Sequence, residues 1–210
     1  PGTLMARPFL NDESKAALSE AVSAVEAASS AELVIAVRPR TGSYLHADLG
    51  FGILMGLAAL AVLLFSPWIF APVWVLVDPV LIGALAGLLG SRSARVRRAF
   101  MPWRERRQRV EAAARSTFVE RRVHGTSGRT GILFYVSVLE REAAFVADVG
   151  VEALAATEAW RRALGEIEQA VRNKEDGVAV AARIRALAPL LGSALARGEN
   201  DVDELPNEVC

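Results

Sequence analysis

The chain passes through stretches of very different hydrophobic pattern. "NDESKAALSEAVSAVEAAS" opens with polar caps at Asn11 and Asp12, then spaces Leu18, Val22 and Val25 three and four residues apart, as on one face of a helix. "ELVIAV" (32–37) is a short, nearly continuous apolar run and reads as a strand. Two longer apolar runs follow. Leu49 to Ser66 carries no charge and Val73 to Gly90 carries only Asp78, each eighteen residues and near the minimum for crossing a hydrocarbon core. They are joined by "PWIFAP", so the pattern predicts a helical hairpin that crosses a membrane twice, with Trp68 and Trp74 at the far interface.

Beyond the hairpin, Pro102 suits the first turn of a long basic helix reaching about Arg122, with Trp103, Val110, Ala114 and Phe118 on one side. "GTSGRTG" (125–131) is a loop, and "ILFYVSV", "LERE" and "AAFVADVG" read as a strand hairpin. Ile132, Phe134 and Val136 share one face and Leu133 and Tyr135 the other, so helices are needed on both sides of the sheet. Two more helices are available: one with Trp160, Leu164, Ile167 and Val171 at helical spacing, and one from Val178 to Ala196. Arg183, Arg185 and Pro189 favour a domain helix over a third span in the latter. The expectation is an α/β fold: a small mixed sheet flanked by helices on both faces and interrupted by a transmembrane helical hairpin. The soluble domain then occupies 1–46 and 92–210, and the hairpin 47–91.

Charge changes this picture in one respect. The 24 basic and 24 acidic residues cancel, so bulk attraction to nucleic acid is not indicated, yet eight arginines fall between Arg92 and Arg109. Arg38 and Arg40 precede the hairpin, and its connecting loop has no Lys or Arg. The positive-inside rule then places both flanks, and both termini, on the cytoplasmic side of a bacterial inner membrane. "PGTLMARPFLNDESKAAL" lacks the apolar core of a cleavable signal peptide. Arg104, Arg106, Arg107 and Arg109 are expected to face anionic lipid, and they lack the interleaved aromatics of a nucleic-acid surface. Gly52 and Gly56 pair by depth with Gly87 and Gly83, the small-residue spacing that lets two membrane helices approach; a homodimer face is the rival use. Asp78 with Pro79 is expected to start a helix as N-cap and first residue, an intramembrane proton or ion site being the alternative.

Candidate chemistry is sparse. There is no Gly-x-Ser-x-Gly elbow, no His-Glu-x-x-His and no phosphate loop with lysine, and the lone Cys210 forms no intrachain disulfide. His46 and His124 read as solvated. Ser127, Arg129 and Thr130 suit either a phosphate-binding loop or a plain turn. Asp148, Glu152, Asp201 and Asp203 offer oxygen ligands of the kind calcium or magnesium takes, although Asp148 and Glu152 equally suit helix caps.

"VEAASSAELVIAVRPRTGSY", the apolar hairpin, "RTGILFYVSVLEREAAFVADVGV" and the tail "ENDVDELPNEV" together resemble the membrane-inserted branch of the TPM-domain family, over nearly the whole chain from about residue 12. The resemblance implies a small mixed sheet between helices. Members of that family include a photosystem II repair protein of the thylakoid lumen and a modulator of acetylcholine receptors, so it implies an accessory, assembly or maintenance factor of an integral membrane-protein complex. Acid phosphatase activity and bound calcium, also attributed to the family, imply the alternative of a divalent-cation-dependent phosphatase-like hydrolase using Asp148 and the acidic tail. The His-Phe-Pro that often precedes the acidic tail is missing from "SALARGENDVDELP", so no role of that histidine transfers.

Overall fold

The structure, a computed structural model, describes residue 9, residues 11–42 and 44–198, and residue 205. In chain order its elements are α1 (Asp12–Ala28), β1 (Glu32–Arg38), α2 (Leu45–Phe65), α3 (Pro72–Gly90), α4 (Ala94–Ala99), α5 (Trp103–Glu120), β2 (Gly131–Ser137), β3 (Glu142–Ala147), α6 (Glu152–Ala155), α7 (Glu158–Arg172), α8 (Gly177–Arg185) and α9 (Ala188–Ala194). Two compact units result: one from the chain up to Thr41 and from Arg106 onward, the other Gly42–Glu105.

The first unit is built on a three-stranded mixed sheet of order β1-β2-β3, with β1 parallel and β3 antiparallel to β2. Because side chains alternate across a strand, Leu33, Ile35 and Val37 join Ile132, Phe134 and Val136 on one face. There they meet Leu18, Val22 and Val25 of α1, Trp160, Ile167 and Val171 of α7, and Val180 and Ile184 of α8. Phe134 stacks on Phe145 of β3 with ring centroids 4.6 Å apart. Val34, Ala36, Leu133 and Tyr135 point the other way, against Val110, Ala114 and Phe118 of α5. The sheet is therefore covered on both faces, which is why its strands read as continuous apolar runs.

Side-chain caps close several helix starts, at Asn11 as the sequence suggests and at Thr157 and Asp176 besides. The Asn11 side chain accepts from the Ser14 amide at 2.7 Å, Thr157 from Trp160 at 3.2 Å and Asp176 from Ala179 at 2.8 Å. One expectation needs correction. The segment expected as one helix from Val178 to Ala196 is two, because the first ends with Ala186 as C-cap and Pro189 opens the next. Trp103, at the first position of α5 and expected on one side with Val110, Ala114 and Phe118, is not among the residues that side buries: it is 57% exposed, and the Arg104 guanidinium lies 5.6 Å from its ring centroid.

In the second unit α2 and α3 pack as a hairpin. Their 21 and 19 residues give roughly 30 Å each at about 1.5 Å per residue, close to a hydrocarbon core. Among the described residues three segments are long and apolar enough to cross a membrane: Leu45–Phe65, Pro72–Gly90 and Gly177–Ala194. The third differs from the other two in what it buries, since Val180, Ala181, Ile184, Leu187 and Leu191 all lie in the core of the first unit. The second unit runs to Glu105, beyond the expected boundary at 91. Two contacts tie α4 back to α2: Arg97 donates twice to Asp48, and Phe100 meets Phe51 edge-on with centroids 5.6 Å apart.

Candidate functional site

A buried polar cluster lies where the parallel strands end. Pro39, Arg40 and Thr41 leave β1 while Ser137 closes β2 and leads to Glu140. Glu140 Oε1 accepts from the Thr41 amide at 2.9 Å, and its Oε2 accepts from the Ser137 hydroxyl. The Thr41 hydroxyl in turn donates to Ser137 Oγ at 2.5 Å and lies 3.4 Å from the Tyr135 hydroxyl. Ser137 and Glu140 are 0% and 1% exposed. Burial pushes the Glu140 carboxyl above its ordinary value, while the amides of Thr41 and Glu140 and the charge of Arg40 pull the other way. Ligands of open α/β sheets gather at such strand ends, yet these groups are enclosed and mutually satisfied, so they fasten the two strand ends together. Nothing in the sequence singles out Glu140: Ser137 is only three positions away, but Thr41, which completes the cluster, stands 99 positions from Glu140.

The carboxylates chosen from the sequence separate into different roles. Asp148 follows β3, is 6% exposed, and is engaged on both oxygens: Oδ2 accepts from Arg129 Nε at 2.8 Å, and Oδ1 from Arg129 Nη2 at 2.9 Å and the Val149 amide at 2.8 Å. It thus caps the short 3-10 turn Val149–Val151. The Arg129 hydrogen bonds hold its carboxyl below the usual range against the opposing effect of burial, with further help from the Val149 amide and the nearby charges of Arg129 and His124. Arg129 has a left-handed backbone (φ 54°), and its carbonyl accepts from the Gly150 amide at 2.9 Å. Gly150 is required there, since a Cβ would stand 2.6 Å from that carbonyl oxygen. Glu152 is exposed at the first position of α6. Asp201 and Asp203 lie outside the described residues. Among the described residues no group of three His, Cys, Asp or Glu side chains is placed to hold a metal ion. In the loop before β2, Thr130 donates its hydroxyl to the Ser30 carbonyl at 2.6 Å and its amide to Thr126 Oγ1 at 3.0 Å, the bonding of a structural turn. His46 Nε2 lies 3.7 Å from Glu105, and His124 is exposed beside the ring of Phe118.

The hairpin brings four of the selected residues together. A Cβ on Gly52 would lie 2.6 Å from the Gly83 carbonyl oxygen and 3.4 Å from Gly87 Cα; one on Gly56 would lie 2.8 Å from the Pro79 carbonyl oxygen and 3.6 Å from Gly83 Cα. The approach is reciprocal, a Cβ on Gly83 falling 2.8 Å from the Gly52 carbonyl oxygen. Such backbone-to-backbone contact is open only to glycine. Along one side of this seam runs a groove of about 650 Å³. Asp78 is corrected by the same geometry: α3 begins at Pro72 with Ala71 as N-cap, so Asp78 is its seventh residue and caps nothing. Pro72 takes the helix-starting role expected of Pro79, which instead sits inside the helix. Asp78 therefore lies about 9 Å along α3 at about 1.5 Å per residue, with no side-chain hydrogen bond or ion pair among the described residues.

The arginines selected on the basic helix are held differently from one another. Arg107 donates to Glu111 at 2.9 Å one turn along, and this bond above all raises its already high pKa. Arg106 Nε is buried without a hydrogen-bond partner among the described residues, Arg104 is exposed over Trp103, and Arg109 is partly buried.

No family model matches the chain, and no curated protein matches it by sequence. Its fold is similar to the NMR structure of the BA42 protein from the psychrophilic bacterium Bizionia argentinensis, with a TM-score of 0.57 and 15% identity over 96% of this chain and 94% of that one. That likeness shows a shared fold.

Proposed function

We propose that the chain is a TPM-like domain protein anchored by its α2–α3 hairpin in a bacterial inner membrane, where it serves as an accessory, assembly or maintenance factor of an integral membrane-protein complex. The observation that carries this reading is the outer surface of the hairpin. Leu57, Val62, Phe65, Ile69, Leu76 and Val80 are each more than half exposed, and Asp78 is the one charged residue between Leu49 and Ser91. An exposed apolar surface of that length is at home in hydrocarbon and a liability in water. Gly177–Ala194 is read as a domain element, because the side it would turn to lipid is committed to the core. The arginines flanking the hairpin support a cytoplasmic position for the soluble domain.

The accessory role is favoured over phosphate-ester hydrolysis because the catalytic candidate, Asp148, spends both oxygens on Arg129 and the Val149 amide. The test has two stages. The whole chain should float with lipid vesicles and resist alkaline extraction, and affinity isolation in mild detergent should recover a defined integral membrane complex at fixed stoichiometry. Recovery in the soluble fraction overturns the anchor. Turnover of a chromogenic phosphate ester that needs calcium or magnesium and disappears in Asp148→Asn overturns the accessory role.

A further inference from the structure

The groove beside the glycine seam has a chemistry of its own. Its walls are Leu49, Ile53, Leu57 and Leu60 of α2 with Ala84 and Leu88 of α3, and its two polar side chains, Asp48 and Ser91, lie at one end only, where α2 begins and α3 stops. That end is also where charge collects. Arg92, Arg95, Arg97 and Arg98 follow Ser91 directly. Asp48 is already matched by the two-pronged bond from Arg97 at 3.0 and 2.8 Å, while the same guanidinium lies 5.6 Å from the centroid of the Tyr44 ring. Arg92 and Arg95 are exposed and make no hydrogen bond or ion pair among the described residues.

From this arrangement we infer that the groove seats an anionic phospholipid, one acyl chain lying along the glycine seam and the phosphate meeting Arg92 and Arg95. The inference rests on the membrane reading above and adds a specific ligand to it. The size of the groove falls within the range of ligand sites, and its apolar length with a single cationic end matches an amphiphile with one charged head. A second copy is the poorer occupant. Two copies inserted the same way bring the same arginines to the same depth, setting cation against cation, whereas a lipid phosphate supplies the missing charge.

The test uses the whole chain, purified from vesicles of either phosphatidylglycerol or phosphatidylcholine and exchanged into detergent, with bound lipid read by native mass spectrometry. Phosphatidylglycerol should remain bound and phosphatidylcholine should not. Arg92→Gln with Arg95→Gln should weaken retention roughly thirtyfold, the product of two arginine contacts to anionic lipid. Ala84→Phe, which fills the groove from a position outside the glycine seam, should abolish retention with helicity unchanged. Equal retention of both lipids, retention unaltered by the paired arginine substitutions, or particles of two copies without lipid would each overturn the proposal. A chain that fails to float with vesicles defeats the anchor reading itself; one that floats but retains no lipid defeats only the lipid seat.

Discussion

Replacing Asp148 separates a structural ion pair from a metal or catalytic carboxylate. In Asp148→Ala the side chain loses the two-pronged bond from Arg129 and the cap on Val149. A charge-assisted hydrogen bond contributes about 1.5–3 kcal/mol and a cap about 1 kcal/mol. Arg129 is 57% exposed, so solvent screening takes the charged contribution to the low end of its range. The expected loss is about 2–3 kcal/mol, which for a chain of this size lowers Tm by roughly 4–12 °C. Thermal unfolding followed by near-ultraviolet circular dichroism at neutral pH measures it. Asp148→Asn, which keeps a capping oxygen, should lose about half as much. A cycle with Arg129→Ala should show the two losses to be far from additive, because both remove the same bond. The sign with pH follows from the depressed carboxyl. The stabilisation is fully present above the ordinary aspartate value of about 3.9 and is lost as pH falls through the lower value of the folded state. An unchanged Tm in Asp148→Ala, or a calcium-induced rise in wild-type Tm that this variant removes, would refute the reasoning.

Other outcomes follow from the same geometry. Glu140 has the opposite sign: its carboxyl is raised by burial, so its contribution is fully present below the ordinary glutamate value of about 4.3 and is lost as pH rises through the folded value. Glu140→Gln should remove that slope from denaturant midpoints measured across pH, while Glu140→Ala should cost about 1–3 kcal/mol by stranding the Thr41 amide and the Ser137 hydroxyl. Gly56→Leu should force α2 and α3 apart, because even its Cβ would stand 2.8 Å from a backbone oxygen; cysteine cross-linking across the seam should fall sharply. Gly165→Ala is the contrasting case. It lies inside α7 with nothing within 4 Å of its Cβ position, and should stabilise by about 0.5–1 kcal/mol in denaturant melts. Asp78→Asn should leave folding intact, since the side chain caps no helix, so any loss of function in that variant would point to the carboxylate itself.

What was legible in the sequence was whatever rests on neighbouring residues. Leu18, Val22 and Val25 gave α1 its buried stripe, and the two-faced run from Ile132 to Val136 required the helices found on both sides of the sheet. Equal depth in the apolar hairpin was enough to pair Gly52 with Gly87 and Gly56 with Gly83. Asp78 misled because Asp-Pro is a sound helix start in isolation, whereas Pro72 supplies an earlier one and a helix tolerates the single amide lost at Pro79. The Asp148–Arg129 pair and the Glu140 network were hidden for another reason. Each depends on strand register, which brings together groups 19 and up to 99 positions apart.

The parallel pairing of β1 with β2 also sets an order of events during synthesis. β1 is complete at Arg38, but its partner is complete only at Ser137, roughly a hundred residues later. At about 5–20 residues per second a ribosome takes roughly 5–20 s over that interval. For that time a strand apolar on both faces, attached to α1, has emerged without the sheet it belongs to, while α2 and α3 are made ahead of β2. A translation pause placed between Gly90 and Gly131 would lengthen this exposure, and a chaperone that shields the segment around Glu32–Arg38 would shorten its consequences. The yield of folded protein should therefore respond more to the pace of synthesis across 91–130 than to the same change after Ala147.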